Sequence, residues 1–133
     1  MYETNRLILR KAVFFDWEQM YRNIWCHEET ARYMLWAVTE SEAAAKERME
    51  RTIAFQQSHH AWLVVEKESG KAIGFAGLRE ESGVCEDTGI AVGPRYVGKG
   101  YGTEILNELV RIAKEGLNAH GFIATCRSEN EAS

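Results

Sequence analysis

Cysteine is scarce in this 133-residue chain: Cys26, Cys85 and Cys126 are an odd number, lie far apart and form no C-x-x-C pair. That argues against a disulfide framework or a thiolate zinc site, and fits small apolar residues in a reduced, cytoplasmic setting. His59 and His60 have no metal-ligand partner at useful spacing, so no metal is expected. Basic excess is missing too. Lys and Arg number 16 against 20 Asp and Glu, a net charge of -4, and no segment gathers the positive charge into a stripe or tail. Nucleic acid is therefore not an expected partner. No apolar run approaches the length of a membrane span. The opening "MYETNRLILRKA" carries Glu3, Arg6, Arg10 and Lys11, and lacks the apolar core of a secretory signal. Proline occurs once, at Pro94, inside the most glycine-rich stretch of the chain.

What is present is enough apolar material, 45% hydrophobic and 11% aromatic, for one compact domain spanning residues 1–133. Residues 6–12, "RLILRKA", predict a first strand, and Asp16 stands as N-cap for a helix that brings Trp17, Met20, Tyr21, Ile24 and Trp25 to helical spacing. Thr39 with Glu42 forms a capping-box pattern opening a helix from Glu40 to about Gln57, with Ala44, Met49 and Ile53 near one face. The period then shortens to that of strands. Residues 61–67 and 72–78 predict a hairpin across a glycine-containing turn, and 84–92 a further strand. Thr103 to Glu115 predicts an amphipathic helix stopped near Gly116 or Asn118, and 121–126 a last strand. The class is mixed α/β (α+β), with a largely antiparallel sheet flanked by helices.

The segment "GIAVGPRYVGKGYGTEIL", from Gly89 to Leu106, carries the chemistry. "GPRYVGKG" fits the start of a nucleoside-triphosphate loop, but Gly100 stands where a Ser or Thr must ligate magnesium. The dinucleotide pattern G-x-G-x-x-G fails as well, since its third glycine falls at Thr103. The shared physics survives both failures. A strand, a glycine turn and a helix N-terminus surround one anion with backbone N–H groups and the positive end of a helix dipole. Gly98, Gly100 and Gly102 remove side chains that would keep a diphosphate from that backbone.

"GKGYGTE" after "IAVGP" resembles motif A of the GNAT acyltransferases, whose Q/R-x-x-G-x-G/A pattern binds the pyrophosphate of acetyl-CoA through its amides. In the register that uses Gly100 and Gly102, Val97 occupies the Gln or Arg position, a departure from the pattern; the alternative register uses Arg95, Gly98 and Gly100. "TNRLILRKA" resembles the opening of the RimJ/RimL-like branch, "WLVVEKESGKAIGFAGL" its hairpin, and "RSENEAS" its N-x-A-S element. The resemblance implies an acetyl-CoA-dependent N-acetyltransferase acting on a primary amine, a peptide N-terminus or a small molecule, by direct attack in a ternary complex. It implies pantetheine contacts at Ile90, Ala91 and Val92. It also implies pyrophosphate contacts at Val97, Gly98, Lys99, Gly100, Tyr101, Gly102 and Thr103, and an asparagine near the cofactor at Asn130.

For the base, Glu86 matches the glutamate of the histone-acetyltransferase branch and Asp87 the acidic position of RimJ/RimL-like chains. Strand alternation sends the two to opposite faces, and proton loss through water is a third route. Tyr33 and Trp36 fall in the linker that lines the family's acceptor pocket, where packing is an equal account of them. RimJ/RimL-like chains continue past the asparagine-serine element with a helix and a strand hairpin, absent before Ser133. A homodimer covering an exposed C-terminal strand edge is therefore expected. The second reading is a truncated, non-catalytic acyl-CoA-binding or oligomeric remnant.

Overall fold

The computed structural model describes residues 1–27 and 38–123. Tyr33, Trp36, Cys126 and Asn130 lie outside them. Six strands lie side by side in chain order: β1 (Tyr2–Glu3), β2 (Leu7–Arg10), β3 (His60–Glu66), β4 (Lys71–Glu81), β5 (Val84–Val92) and β6 (Gly121–Ile123). Each neighbouring pair is antiparallel except β5 and β6, which run parallel with Val84 opposite Gly121 and Glu86 opposite Ile123. A parallel pair needs a crossover. Here it is the helix α3 (Tyr101–Arg111), extended by a wider turn over Ile112–Gly116.

Among the described residues, two further helices precede β3. α1 (Trp17–Met20) runs into a wide turn at Tyr21–Trp25, and α2 (Glu42–Ser58) follows. The sheet separates two apolar clusters, because alternate side chains of a strand leave on opposite faces. On one face Leu7, Leu9, Val64, Ile73 and Ile90 pack against Ile105, Leu109 and Ile112 of the α3 segment. On the other, Leu63 and Ala72 pack against Met20, Ile24 and Trp25 and against Ala45 and Met49 of α2. Full burial of each large aliphatic side chain contributes about 1.5–3 kcal/mol, so α3 is held by its stripe of three.

Local chemistry corrects some expectations. The N-cap of α2 is Ser41, whose Oγ accepts from the Ala44 N–H at 3.1 Å. Thr39 instead accepts from Arg48 Nη1 at 3.0 Å, and α2 turns Ala45 rather than Ala44 inward. Asp16 does occupy the N-cap position of α1, but its carboxylate makes no cap. It receives both Arg10 Nη groups and the Val13 N–H, each at 2.8 Å. Lys11 donates to the carbonyls of Gln56, His59 and Ala61 at 2.8–3.0 Å and so fastens the end of α2 to β2. The β4–β5 hairpin closes through Ser82 and Gly83, with φ of 54° and 84°, the paired left-handed residues of a tight two-residue turn.

Candidate active site

β5 delivers the chain into the glycine loop, which passes through a single turn at Pro94–Tyr96 before α3 begins. Gly98 and Gly100 have φ of +81° and +80°, backbone that L side chains rarely adopt. The glycines are thus needed for conformation as well as for room, a second reason that spacing alone does not reveal. A Cβ at Gly98 would meet nothing within 4 Å among the described residues, so this side of the loop is open to them. Gly100 is the N-cap of α3 and brings no side chain to cap it. The first-turn N–H groups of the eleven-residue helix are therefore left without a side-chain cap at the glycine loop. Lys99 adds a cation there, its Nζ 5.6 Å from the centre of the Tyr96 ring.

The loop is anchored from the far end of the sequence. Arg6 donates from Nε to Glu104 Oε1 at 2.7 Å and from Nη1 to the Lys99 carbonyl at 2.8 Å, and its guanidinium lies 4.5 Å over the Tyr101 ring. Glu104 also accepts from the Arg6 N–H at 2.9 Å and from the Thr4 hydroxyl. Burial alone would raise the Glu104 pKa; these hydrogen bonds outweigh it and hold the carboxyl below its ordinary range. Behind the loop, the Tyr101 hydroxyl donates to Glu66 Oε2 at 2.6 Å, and both residues are buried. Desolvation first, then the Glu66 hydrogen bond, push the phenol up to about 12, while the same bond holds Glu66 below the usual carboxylate range. Arg6, Glu66 and Glu104 were not among the residues the sequence singled out as functional. Only the "T-x-R-L" opening hinted at Arg6.

β5 is irregular where the chemistry is expected. Gly77 of β4 faces Gly89 and the next residue, Leu78, faces Asp87, so Thr88 is the extra residue of a bulge. A Cβ on Gly77 would lie 2.5 Å from Thr88 Oγ1, so any larger residue opposite the bulge would force the Thr88 side chain to shift. The two acidic residues point oppositely. Asp87 pairs with Leu78, which belongs to the α3-side cluster, and is 2% exposed. Glu86 pairs with Arg79, on the same face as Phe75, and forms an ion pair with the Arg79 guanidinium.

That second face carries a cavity of about 630 Å3 between the sheet and the helices α1 and α2. Its walls include Phe75 and Thr88 from the sheet, Trp25 from the turn after α1, and Arg48, Arg51 and Phe55 from α2. The bulge therefore lies between two regions: the cavity on one face, and the glycine loop at the far end of β5. Ile90 and Ala91 are buried with side chains directed into opposite cores, and Val92 is half-buried, so anything β5 offers a ligand there comes from its backbone. Val97 is 42% exposed and Thr103 is exposed on the first turn of α3, while Tyr101 and Gly102 are buried.

The mixed sheet thus brings a glycine loop of the kind that suits an anion, at the start of the crossover helix, and a cavity of small-molecule size into one domain. The family model described as "Acetyltransferase (GNAT) domain" matches residues 6–133. The chain belongs to the GNAT acetyltransferase family, and its reaction class is acyl transfer. Solved structures share the fold at low identity. A GNAT-family acetyltransferase from Bacillus anthracis is 22% identical with a TM-score of 0.76, over 98% of this chain and 76% of that one. An acetyltransferase from Agrobacterium tumefaciens is 21% identical with a TM-score of 0.69, over 97% and 75%. A ribosomal-protein-S5-alanine acetyltransferase from Vibrio fischeri is 18% identical with a TM-score of 0.62, over 92% and 72%.

Proposed function

We propose that the protein transfers an acetyl group from acetyl-CoA to a primary amine by direct attack in a ternary complex. The observation that carries this reading is the glycine loop: two left-handed glycines feeding the uncapped N-terminus of α3, within a GNAT-family chain. Such a loop suits the pyrophosphate of coenzyme A, with Val97, Gly98, Lys99, Gly100, Tyr101, Gly102 and Thr103 around it. The backbone of Ile90, Ala91 and Val92 would hold the pantetheine arm, and Asn130 would lie nearby, as the family resemblance implies. Acetyl-CoA supplies an activated thioester carbonyl.

The acceptor amine must reach that carbonyl without its extra proton. Its nitrogen bonds to the carbonyl carbon, the carbon–sulfur bond breaks, the sulfur leaves as the thiol of coenzyme A, and the nitrogen gives up one proton. Glu86 is not a wall of the cavity, but it is the base of choice over Asp87, because its side chain leaves β5 on the face that carries the cavity, two residues from the bulge, whereas Asp87 is buried toward α3. We further propose a cytoplasmic enzyme, where acetyl-CoA is made and used. A homodimer is proposed as well, since among the described residues β6 is an edge strand of the sheet and Ile123 on it is half exposed.

Calorimetric titration with acetyl-CoA and with CoA tests the loop, and a thiol-release assay across amines and peptide N-termini tests turnover. Glu86→Gln should lower kcat by about 10²–10⁴ with acetyl-CoA affinity kept, and Asp87→Asn far less. Binding without turnover on any acceptor would favour the non-catalytic reading. Absence of binding would refute both. Light scattering tests the dimer.

A further inference from the structure

The wall of the cavity opposite the sheet has a chemical character of its own. Arg48 and Arg51 are three residues apart on α2 and so share a face, and both line the cavity. The other lining residues are apolar, aromatic, hydroxyl or amide, with no Asp or Glu among those described. The Arg48 guanidinium is positioned: it lies 4.7 Å over the Trp25 ring and donates from Nη1 to Thr39. Burial first, and the like charge of Arg51 second, lower its pKa to about 10. An anion in the cavity would relieve the second cause and compensate the first. Arg51 pairs with Glu47 at 2.8 Å, but that pair is solvent-exposed and competes weakly with an anion inside.

Resting on the transferase reading above, we infer that the acceptor is a small amine that also carries an oxyanion, carboxylate or phosphate. Arg48 and Arg51 would hold that group against α2, while the amine reaches toward the bulge at Thr88. A guanidinium presents planar paired donors that match a carboxylate or a phosphate edge. The cavity volume of about 630 Å3 falls in the range of small-molecule sites. Its aromatic walls at Trp25, Phe55 and Phe75 leave the carbon skeleton between the two ends in apolar surroundings. Arg48 is thus a specificity-determining residue rather than a catalytic one.

The test compares matched acceptors with acetyl-CoA at saturation: phenylalanine against phenylalaninamide, leucine against leucinamide, and ethanolamine phosphate against ethanolamine. The amides hold more free amine at a given pH, so basicity alone favours them. The expected result is a kcat/KM at least about tenfold higher for an anionic member, carried by KM. Which pair shows it distinguishes carboxylate from phosphate. Arg48→Gln should collapse that ratio toward one, with acetyl-CoA affinity kept by calorimetry. A merely structural role for Arg48 would move both members of a pair equally and leave the ratio standing. Arg51→Gln, at a more exposed position, should reduce the ratio if Arg48→Gln fails to fold. Equal or better transfer to every neutral member overturns the inference while leaving the transferase reading intact, as does a ratio that survives both variants. Binding of acetyl-CoA with no transfer to any of the six amines also overturns it, and no binding of acetyl-CoA overturns the transferase reading itself.

Discussion

Replacing Gly98 separates two reasons for glycine that coincide at one position. Its φ of +81° costs a β-carbon residue about 1–2 kcal/mol, while an added Cβ would meet no atom of the described residues within 4 Å. Gly98→Ala should therefore lower unfolding stability by about 1–2 kcal/mol, read from urea denaturation, and the whole loss is conformational. Asparagine enters left-handed backbone more readily than other L residues, so Gly98→Asn should recover much of that stability. Both variants place atoms on the side of the loop from which the proposed diphosphate would approach. Both should weaken acetyl-CoA by about tenfold or more, equivalent to about 1.4 kcal/mol, in calorimetric titration. The signature is a split: asparagine restores folding and does not restore binding. If Gly98→Ala costs less than about 0.5 kcal/mol, the backbone argument is wrong. If Gly98→Asn binds acetyl-CoA like the parent, the open side of this loop is not the phosphate site.

Three other outcomes follow from the contacts. Tyr101→Phe leaves the buried Glu66 carboxylate without its phenol donor and should cost about 1–3 kcal/mol in chemical denaturation near pH 7. Glu66 has a depressed pKa in the fold, so this contribution is complete above the ordinary carboxylate value of 4.5 and fades as pH falls through the lower folded value; the gap between parent and variant should narrow in acid. Ser41→Ala removes the cap of α2 and should cost about 0.5–2 kcal/mol, whereas Glu42→Ala should not reproduce that loss through a capping box. Cys26 is exposed and Cys85 is buried with its thiol pushed up by desolvation, so alkylation of the native protein mapped by mass spectrometry should modify Cys26 and spare Cys85.

Much of this architecture is written locally. β5 runs Val84–Val92 as its pattern predicts, and the glycine loop and the stripe of α3 fall where glycines and helical spacing put them. Local patterns failed where a side chain was claimed by something distant. Thr39 and Glu42 satisfy the capping-box spacing, yet the Thr39 hydroxyl goes to Arg48 and Ser41 does the capping. Asp16 sits where a cap belongs, but two guanidinium donors from Arg10 outbid the helix for its carboxylate. β1 spans two residues and exists only by pairing with β2, too short to leave a period. The candidate site divides in the same way. Its glycine loop, which we propose holds an anion, is contiguous in the sequence and falls where the glycines put it. Its cavity is assembled from α1, α2 and three strands, and no spacing in the sequence brings Arg48 near Thr88.

The hold of Arg6 on Glu104 and Lys99 has a consequence for how the protein is made. Those partners lie 98 and 93 residues beyond Arg6 in the chain, so during synthesis the bend bearing Arg6, just before β2, must wait until the turn into α3 has emerged. Closing so long a loop is slow compared with forming a helix or a hairpin, which orders assembly with the glycine-loop end last. A chain shortened or blocked at its first few residues would then keep its hairpin and helices while its glycine loop lost one wall of its seat. Extensions fused to the N-terminus therefore belong to the chemistry of that loop, although sequence numbering puts them as far from it as the chain allows.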